Sequence, residues 1–396
     1  MTNTIITMCP ALYGDSFLIQ FPNEKFNLLV DTGFIATYDQ YLKPRLIELK
    51  SDNQAIDLLV ITHIDADHIS GAIKLLEDNL DSAKHNIIEI KNIWHNSYRH
   101  IQHKSLISKT PYKKNKVAVQ RFGALGYPLQ QEEKQNSISA KQGSSLATKI
   151  EQSGYNWNSQ FNGNAVIIEN QQLIQLTPNL KLILLSPNQQ KLEKLRSYWF
   201  KELQKLGYIG QENENIFYDD AFEFAVSREK SNKVNKKISV KSLNIEALAN
   251  SIFKEDDSIT NGSSISFILE YLDHKFLFLG DSHPSLIEQN LRKIYSDKAV
   301  WFDAIKISHH GSQNNTSPSI LEIIDSDYYF ISTNGIKFSH PDYEALARII
   351  YRPTQKIRQI IFNYEHEAYH YFNDQCIMKK YQYNVSVAKK MYKYMF

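Results

Sequence analysis

The sequence predicts an α/β protein whose buried strands deliver metal-binding side chains at their ends. Two observations carry this. Short apolar runs such as "DLLVIT", "LKLILLS" and "KFLFLG" alternate with segments of helical periodicity, the pattern of strands covered on both faces. Histidine and aspartate then recur directly after those runs, most densely in "THIDADHISG", where His63, Asp65, Asp67 and His68 fall within six residues.

Taken in order, "NTIITMCPALYGDSFLIQF" reads as two strands around the turn at Gly14-Asp15, and "FNLLVDTG" as a third strand ending at Asp31. Residues 38–50 read as a helix. "IDLLVITHID" is an apolar strand, a helix follows at about 69–79, and the four metal-type side chains lie on the loop between them. "IIEIKNIWHNS" is a further strand. Residues 101–160 are rich in Lys, Gln, Asn and Ser and read as an insertion with a short helix near 144–153. Strands resume at 164–185. A second insertion covers 189–257 and opens with the amphipathic "QQKLEKLRSYWFKELQKLG". "SSISFILEYLDHKFLFLGDS" is a hairpin ending at Asp281. After it come a helix, the strand in "FDAIKISHHGS", the helix "PSILEIID", the strand "YYFIST", the loop "NGIKFSHP" and the helix "DYEALARIIY". "RQIIFNYEHEAYHYF" alternates like a strand. Residues 1–375 form one domain with these insertions, and the aromatic-basic tail 376–396 packs on it as a terminal strand or helix.

Composition bounds the function. A chain of 396 residues with 42% apolar and 22% charged residues can bury a sizeable core. A net charge of +2 gives no global field to attract nucleic acid, so such contact needs a local basic patch. Two cysteines, Cys9 and Cys376, exclude a disulfide framework and suit a reducing compartment. The opening "MTNTIITMCPALYG" lacks the basic start and apolar stretch of a leader, and no apolar window reaches the about 18 residues of a membrane span. A soluble cytoplasmic protein is expected.

Asp31, the 63–68 cluster, Asp281, His309, His310 and His340 all follow predicted strands. If those strand ends share one rim, they form a cleft of imidazoles and carboxylates suited to Zn²⁺, Mn²⁺ or Fe²⁺. "VDTG", "THIDADHISG", "LGDS" and "ISHHGS" resemble, in order, the motifs of the metallo-β-lactamase superfamily. The resemblance covers residues 5–100, 161–188 and about 258–365. It is nearest to the hydrolase domain of the competence protein ComEC, which also carries Asp where Asp65 stands and a later loop like "STNGIKFSHP". None of the ComEC membrane channel is present.

The resemblance implies a four-layered αββα sandwich with one or two divalent ions, Zn²⁺ or Mn²⁺. By motif, His63 and Asp65 hold the first ion and Asp67 and His68 the second. Asp281 bridges them, and His309 completes the second site, with His310 as its alternative. Asp31 stands behind the ligands and orients the loop. The family's third-motif histidine falls at Ser186, and Asp65 replaces a second imidazole, so the first site is oxygen-rich and Mn²⁺-tolerant. His95 is a candidate replacement through space. The implied chemistry is hydrolysis by a metal-bound hydroxide, with Asp67, His340 and Asn334 as catalytic candidates. The implied function is a phosphodiesterase or nuclease on nucleic acid, within a bacterial antiphage system with protein partners. Two other readings use the same residues: a hydrolase of small carbonyl compounds or peptides, and a non-catalytic regulatory subunit with a degenerate site.

Overall fold

The computed structural model describes residues 4–101, 146–205, 244–296, 298–337, 339–388 and 391–396. The greater part of each expected insertion, residues 102–145 and 206–243, lies outside the described residues. Among the described residues the chain forms two mixed sheets, one of six strands and one of eight.

The first sheet holds β1 (Ile5–Met8), β2 (Phe17–Phe21), β3 (Phe26–Val30), β4 (Leu58–Val60) and β5 (Ile93–Trp94), with β14 (Tyr392–Met395) on the far side of β1. Its hairpin half is antiparallel, whereas β3, β4 and β5 run parallel. The second sheet runs from β6 (Leu173–Gln175) through β7 (Leu180–Ser186), β8 (Ser266–Tyr271), β9 (His274–Phe278), β10 (Val300–Lys306), β11 (Ile324–Ile331) and β12 (Arg358–Phe362) to β13 (Tyr383–Val387). Strands β6 to β9 pair antiparallel, and β9 to β13 pair parallel.

Side-chain alternation explains why the strands read as unbroken apolar runs. On β2, Phe17, Ile19 and Phe21 enter the space between the sheets, while Leu18 joins the outer core. Leu28 and Val30 against Leu29, and Leu58 and Val60 against Leu59, divide in the same way. Phe17 meets Phe278 and Phe330 of the opposite sheet at ring-centroid distances of 5.9 and 6.1 Å. Outside the first sheet lie α1 (Lys43–Ser51), which contributes Leu46 and Leu49, and α2 (Ala66–Asn79), which contributes Ile69, Leu75 and Leu76. The next helices in the chain are α3 (Leu146–Gln152), α4 (Gln189–Lys205), α5 (Ile245–Ala249) and the short α6 (Ile259–Gly262). Outside the second sheet, α7 (Pro284–Tyr295), α8 (Pro318–Ile323) and α9 (Tyr343–Tyr351) pack through residues such as Ile287, Leu291, Ile320 and Leu346. Helices therefore flank both sheets in the expected αββα order. No helix of the described residues is long and apolar enough to cross a membrane.

Two local readings change. Helix α2 begins at Ala66, so Asp67 and His68 stand in its first turn rather than on a loop. The segment read as one strand from Arg358 onward is β12 to Phe362 and then α10 (Glu367–Phe372). His366 causes the switch: its Nδ1 accepts from the Tyr369 N–H at 3.2 Å and caps the helix. The C-terminal segment forms α11 (Gln375–Tyr381) and then contributes β13 to one sheet and β14 to the other.

An ion-pair network around the buried Arg358 closes the far end of β11. Asp325 accepts from Arg358 Nε and Nη2 at 2.9 and 2.6 Å, from Arg352 Nη2 at 3.2 Å and from the Tyr329 hydroxyl at 2.8 Å. Burial raises the Asp325 pKa, but the two guanidinium groups outweigh it and hold the carboxyl below its ordinary range. Asp325→Ala strands the Arg358 guanidinium, and we expect a loss of about 3 kcal/mol in urea unfolding at neutral pH. Because the folded-state pKa is depressed, this contribution is complete above the ordinary carboxylate range. It disappears as the pH falls through the depressed value, so the wild-type advantage over the variant should vanish in acid.

Candidate metal centre

The parallel strands β3, β4, β9, β10 and β11 point their carboxyl ends to one rim, where an α/β sheet places its ligands. Asp31 follows β3 in the left-handed region, with φ of 52°. It ties three segments together: Oδ1 accepts from the Thr62 N–H at 2.8 Å, and Oδ2 lies 2.7 Å from Thr62 Oγ1 and 2.8 Å from His68 Nδ1. The loop after β4 is thereby fixed to α2. Gly14, in the turn after β1, passes so close to this helix that a Cβ there would lie 2.1 Å from the Asp67 carbonyl oxygen, so no larger residue fits.

Three imidazole nitrogens surround one carboxylate oxygen. Asp281 Oδ2 lies 3.7 Å from His63 Nε2, 3.7 Å from His68 Nε2 and 3.6 Å from His310 Nε2. Asp67 Oδ2 lies 3.8 Å from His68 Nε2 and 3.6 Å from His310 Nε2, and Asp65 Oδ2 lies 3.5 Å from His63 Nε2. These separations are too long for hydrogen bonds. They approach the ~3.4 Å edge of a tetrahedron of ligands about 2.1 Å from an ion. The Nε2 atoms of His63, His68 and His310 are buried without a hydrogen-bond partner among the described residues. Three such orphans facing one point are the signature of a cation site.

The opposite ring nitrogens set the tautomers. His68 Nδ1–H donates to Asp31, and His310 Nδ1–H donates to the Ser332 carbonyl at 2.8 Å. The Thr62 hydroxyl donates to Asp31, so its oxygen accepts from His63 Nδ1–H at 3.1 Å. Each Nε2 then presents its lone pair inward, as a metal ligand must. Without a cation, the surrounding carboxylates favour a second proton on the His68 and His310 rings. Burial depresses the His68 pKa, yet Asp31, Asp67 and Asp281 raise it well above the usual imidazole range. Burial likewise opposes charge on His310, and Asp281 with Asp15 still pushes it up to about 10. The pocket gathers positive charge, and a divalent cation there displaces protons. Two groups, His63–His68–Asp281 and Asp67–His68–His310, could each hold a divalent ion, and both draw on His68, whose Nε2 has one lone pair to give.

Several residues on this rim were not singled out from sequence. Asp15, read as a turn residue, is buried and pairs with Lys306, and its Oδ1 lies 3.5 Å from His310 Nδ1. Lys306, also buried, donates to the Gly280 carbonyl at 2.9 Å and lies 3.6 Å from Asp281 Oδ1. Asp281 thus turns one oxygen to a lysine and the other to the imidazoles. The available signal was a charged residue inside an apolar strand, the Lys of "AIKIS".

His309 and His310 separate. Both have positive φ, 45° and 54°, and their side chains diverge. His310, the alternative, enters the donor set. His309 Nδ1 turns to Asn315 Oδ1 at 3.0 Å and Asp256 Oδ2 at 3.6 Å, and its ring lies 5.0 Å from that of His340. Asp65 stays at the partly exposed edge, where the Thr260 hydroxyl reaches its Oδ2 at 3.4 Å. His340 is buried beside Asp342 at 3.4 Å. Asn334 Oδ1 accepts from Ile336 N–H within its own loop. Ser186 is buried on β7 opposite Ser266 and belongs to none of the metal-holding groups found among the described residues. Neither does His95, which stacks at 6.2 Å on Trp157.

The metallo-beta-lactamase superfamily model matches residues 9–133, which include β2 to β5 and the whole 63–68 cluster. No curated protein matches the chain. Among solved structures the chain is similar to Igni18, a metallo hydrolase from the hyperthermophilic archaeon Ignicoccus hospitalis KIN4/I. The identity is 10% and the TM-score 0.37, with 100% of this chain and 99% of that chain covered.

Metal content of dialysed protein, read by plasma mass spectrometry, separates the adjacent histidines. His310→Ala should lose bound metal, and His309→Ala should retain the wild-type content. Asp31→Ala should weaken metal affinity about 10- to 100-fold, the usual cost of removing the partner that orients a ligating imidazole.

Proposed function

We propose that this chain is a metal-dependent hydrolase of the metallo-β-lactamase superfamily and a phosphodiesterase acting on nucleic acid. The observation that carries the hydrolase reading is the convergence of three imidazole Nε2 atoms on Asp281 Oδ2. The phosphodiester reading is supported by the oxygen content of the donor set, in which Asp65, Asp67 and Asp281 accompany the histidines. Such a mixture accepts the harder ions that serve phosphoryl transfer. The likeness of "THIDADHISG" and "ISHHGS" to the ComEC hydrolase domain points the same way.

His63, Asp65, Asp67, His68, Asp281 and His310 would hold the ions. When bound, the ions supply Lewis acidity and a water activated near neutral pH. The protein supplies orientation. Asp31 and Thr62 fix His63 and His68, the Ser332 carbonyl and Asp15 fix His310, and Lys306 fixes Asp281. His309 lies beside this set with part of its side chain exposed, oriented by Asn315 and Asp256, and His340 is packed against it. It is the group placed to give a proton to the leaving oxygen. The antiphage setting and its protein partners, implied by resemblance, belong to this reading as an expectation to be tested by co-purification.

The test is hydrolysis of bis(4-nitrophenyl) phosphate by purified protein, after chelation and after return of Mn²⁺ or Zn²⁺. Turnover should vanish with chelator and return with metal. Asp67→Ala and His68→Ala should each lower it by more than the about 100-fold that loss of an outer partner costs, with circular dichroism unchanged. Wild-type turnover in both variants would remove the assignment.

A further inference from the structure

The helix α4 presents one side to the core and another to a cavity. Leu192, Leu195 and Trp199 are buried. Gln190, Lys194, Ser197, Tyr198 and Lys201 follow each other at helical spacing and line a cavity of about 400 Å³, whose other wall is Ile259. The acid on this face, Glu193, has its Oε1 engaged by Gln189 Nε2 at 2.8 Å. Lys194 and Lys201 are exposed and make no ion pair among the described residues. The helix as a whole carries five basic against two acidic residues in a chain of nearly balanced charge. It supplies a local basic patch of the kind that a nearly neutral chain needs for nucleic-acid contact.

The cavity adjoins the metal centre through α6. Ile259 is followed by Thr260, whose hydroxyl reaches Asp65, and by Asn261, whose side chain lies 3.3 Å from His309 Nδ1. Helix α4 is anchored to the same turn. Lys191 Nζ donates to His283 Nδ1 at 2.6 Å, and His283 Nε2–H donates to the Ser258 carbonyl at 2.9 Å. The lysine-lined wall is therefore held against the segment that contacts the partly exposed candidate ligand, Asp65, and the proton-donor candidate, His309.

We propose that this cavity is the path by which a single nucleic-acid strand reaches the metal centre, with Lys194 and Lys201 meeting its phosphates. The inference rests on the phosphodiesterase reading above and names the groove that reading requires. Along the helix, Lys194 and Lys201 stand about 10 Å apart. A single strand of a few nucleotides can span that distance. The cavity falls in the about 300–1,000 Å³ range of ligand sites. Lysines without a carboxylate partner, set along a groove, are the usual chemistry for tracking the backbone of a strand without reading its sequence.

The experiment measures anisotropy of a fluorescein-labelled, phosphorothioate-linked oligothymidylate with the full-length protein across a salt series. Lys194→Gln with Lys201→Gln should weaken binding on the order of tenfold and reduce the slope of log affinity against log salt by about 1.4, at about 0.7 per single-strand phosphate contact. Lys356→Gln, outside the cavity and paired with Asp327, should match wild type. Wild-type affinity and slope in the double variant, or an equal loss in Lys356→Gln, overturns the groove. So does failure of the wild-type protein to bind the strand. Hydrolysis of bis(4-nitrophenyl) phosphate by wild-type protein separates the two failures. Turnover with an unaltered double variant removes the groove and leaves the phosphodiesterase, whereas absence of turnover removes the reading beneath it.

Discussion

The structure depends on a carboxylate, Asp281, held between opposite demands. It is buried and coupled to a buried lysine on one oxygen and to three imidazoles on the other. An isolated buried carboxylate would take up a proton rather than bear the desolvation cost. Here burial is outweighed by His310, His68 and His309, which hold Asp281 well below the ordinary carboxylate range. A charge stabilised in this way is fixed in place, and fixed charge is what a cation site needs. Behind it Asp15 pairs with Lys306, and Asp31 is held by Thr62 and His68, so the candidate ligands are backed by partners that are themselves fixed.

The fold makes this possible because parallel strands end together. β3, β4, β9, β10 and β11 come from both sheets, and the aromatic packing of Phe17 against Phe278 and Phe330 holds those sheets in register across their shared core. A change in the inter-sheet spacing would move Asp281, which follows β9, relative to His63, which follows β4. The site is therefore a property of the sandwich and not of one loop.

Much of this was legible in the chain. Apolar strands covered on both faces read clearly, and the 63–68 cluster, Asp31 and Asp281 stood out because polar groups directly after such runs are conspicuous. What was not legible depends on contacts distant in sequence. Nothing in "SHHG" tells which histidine faces inward, because two consecutive left-handed residues diverge according to the partners that receive them, Ser332 for one and Asn315 for the other. Asp15 read as a turn residue because its partner Lys306 lies on another strand of another sheet. The α10 helix was hidden by an alternation of polar and apolar residues that suits either period, until the His366 cap decided it.

The six-stranded sheet also has a bearing on how the chain is made. Its β1 edge is covered by β14, and Thr4 exchanges backbone hydrogen bonds with Phe396 at 3.0 and 2.9 Å. A ribosome emits β1 first and β14 last, so during synthesis the nascent sheet carries an open edge flanked by apolar side chains. Pairings of such sequence separation form late and slowly. Until they form, the growing polypeptide presents a template for unwanted strand addition.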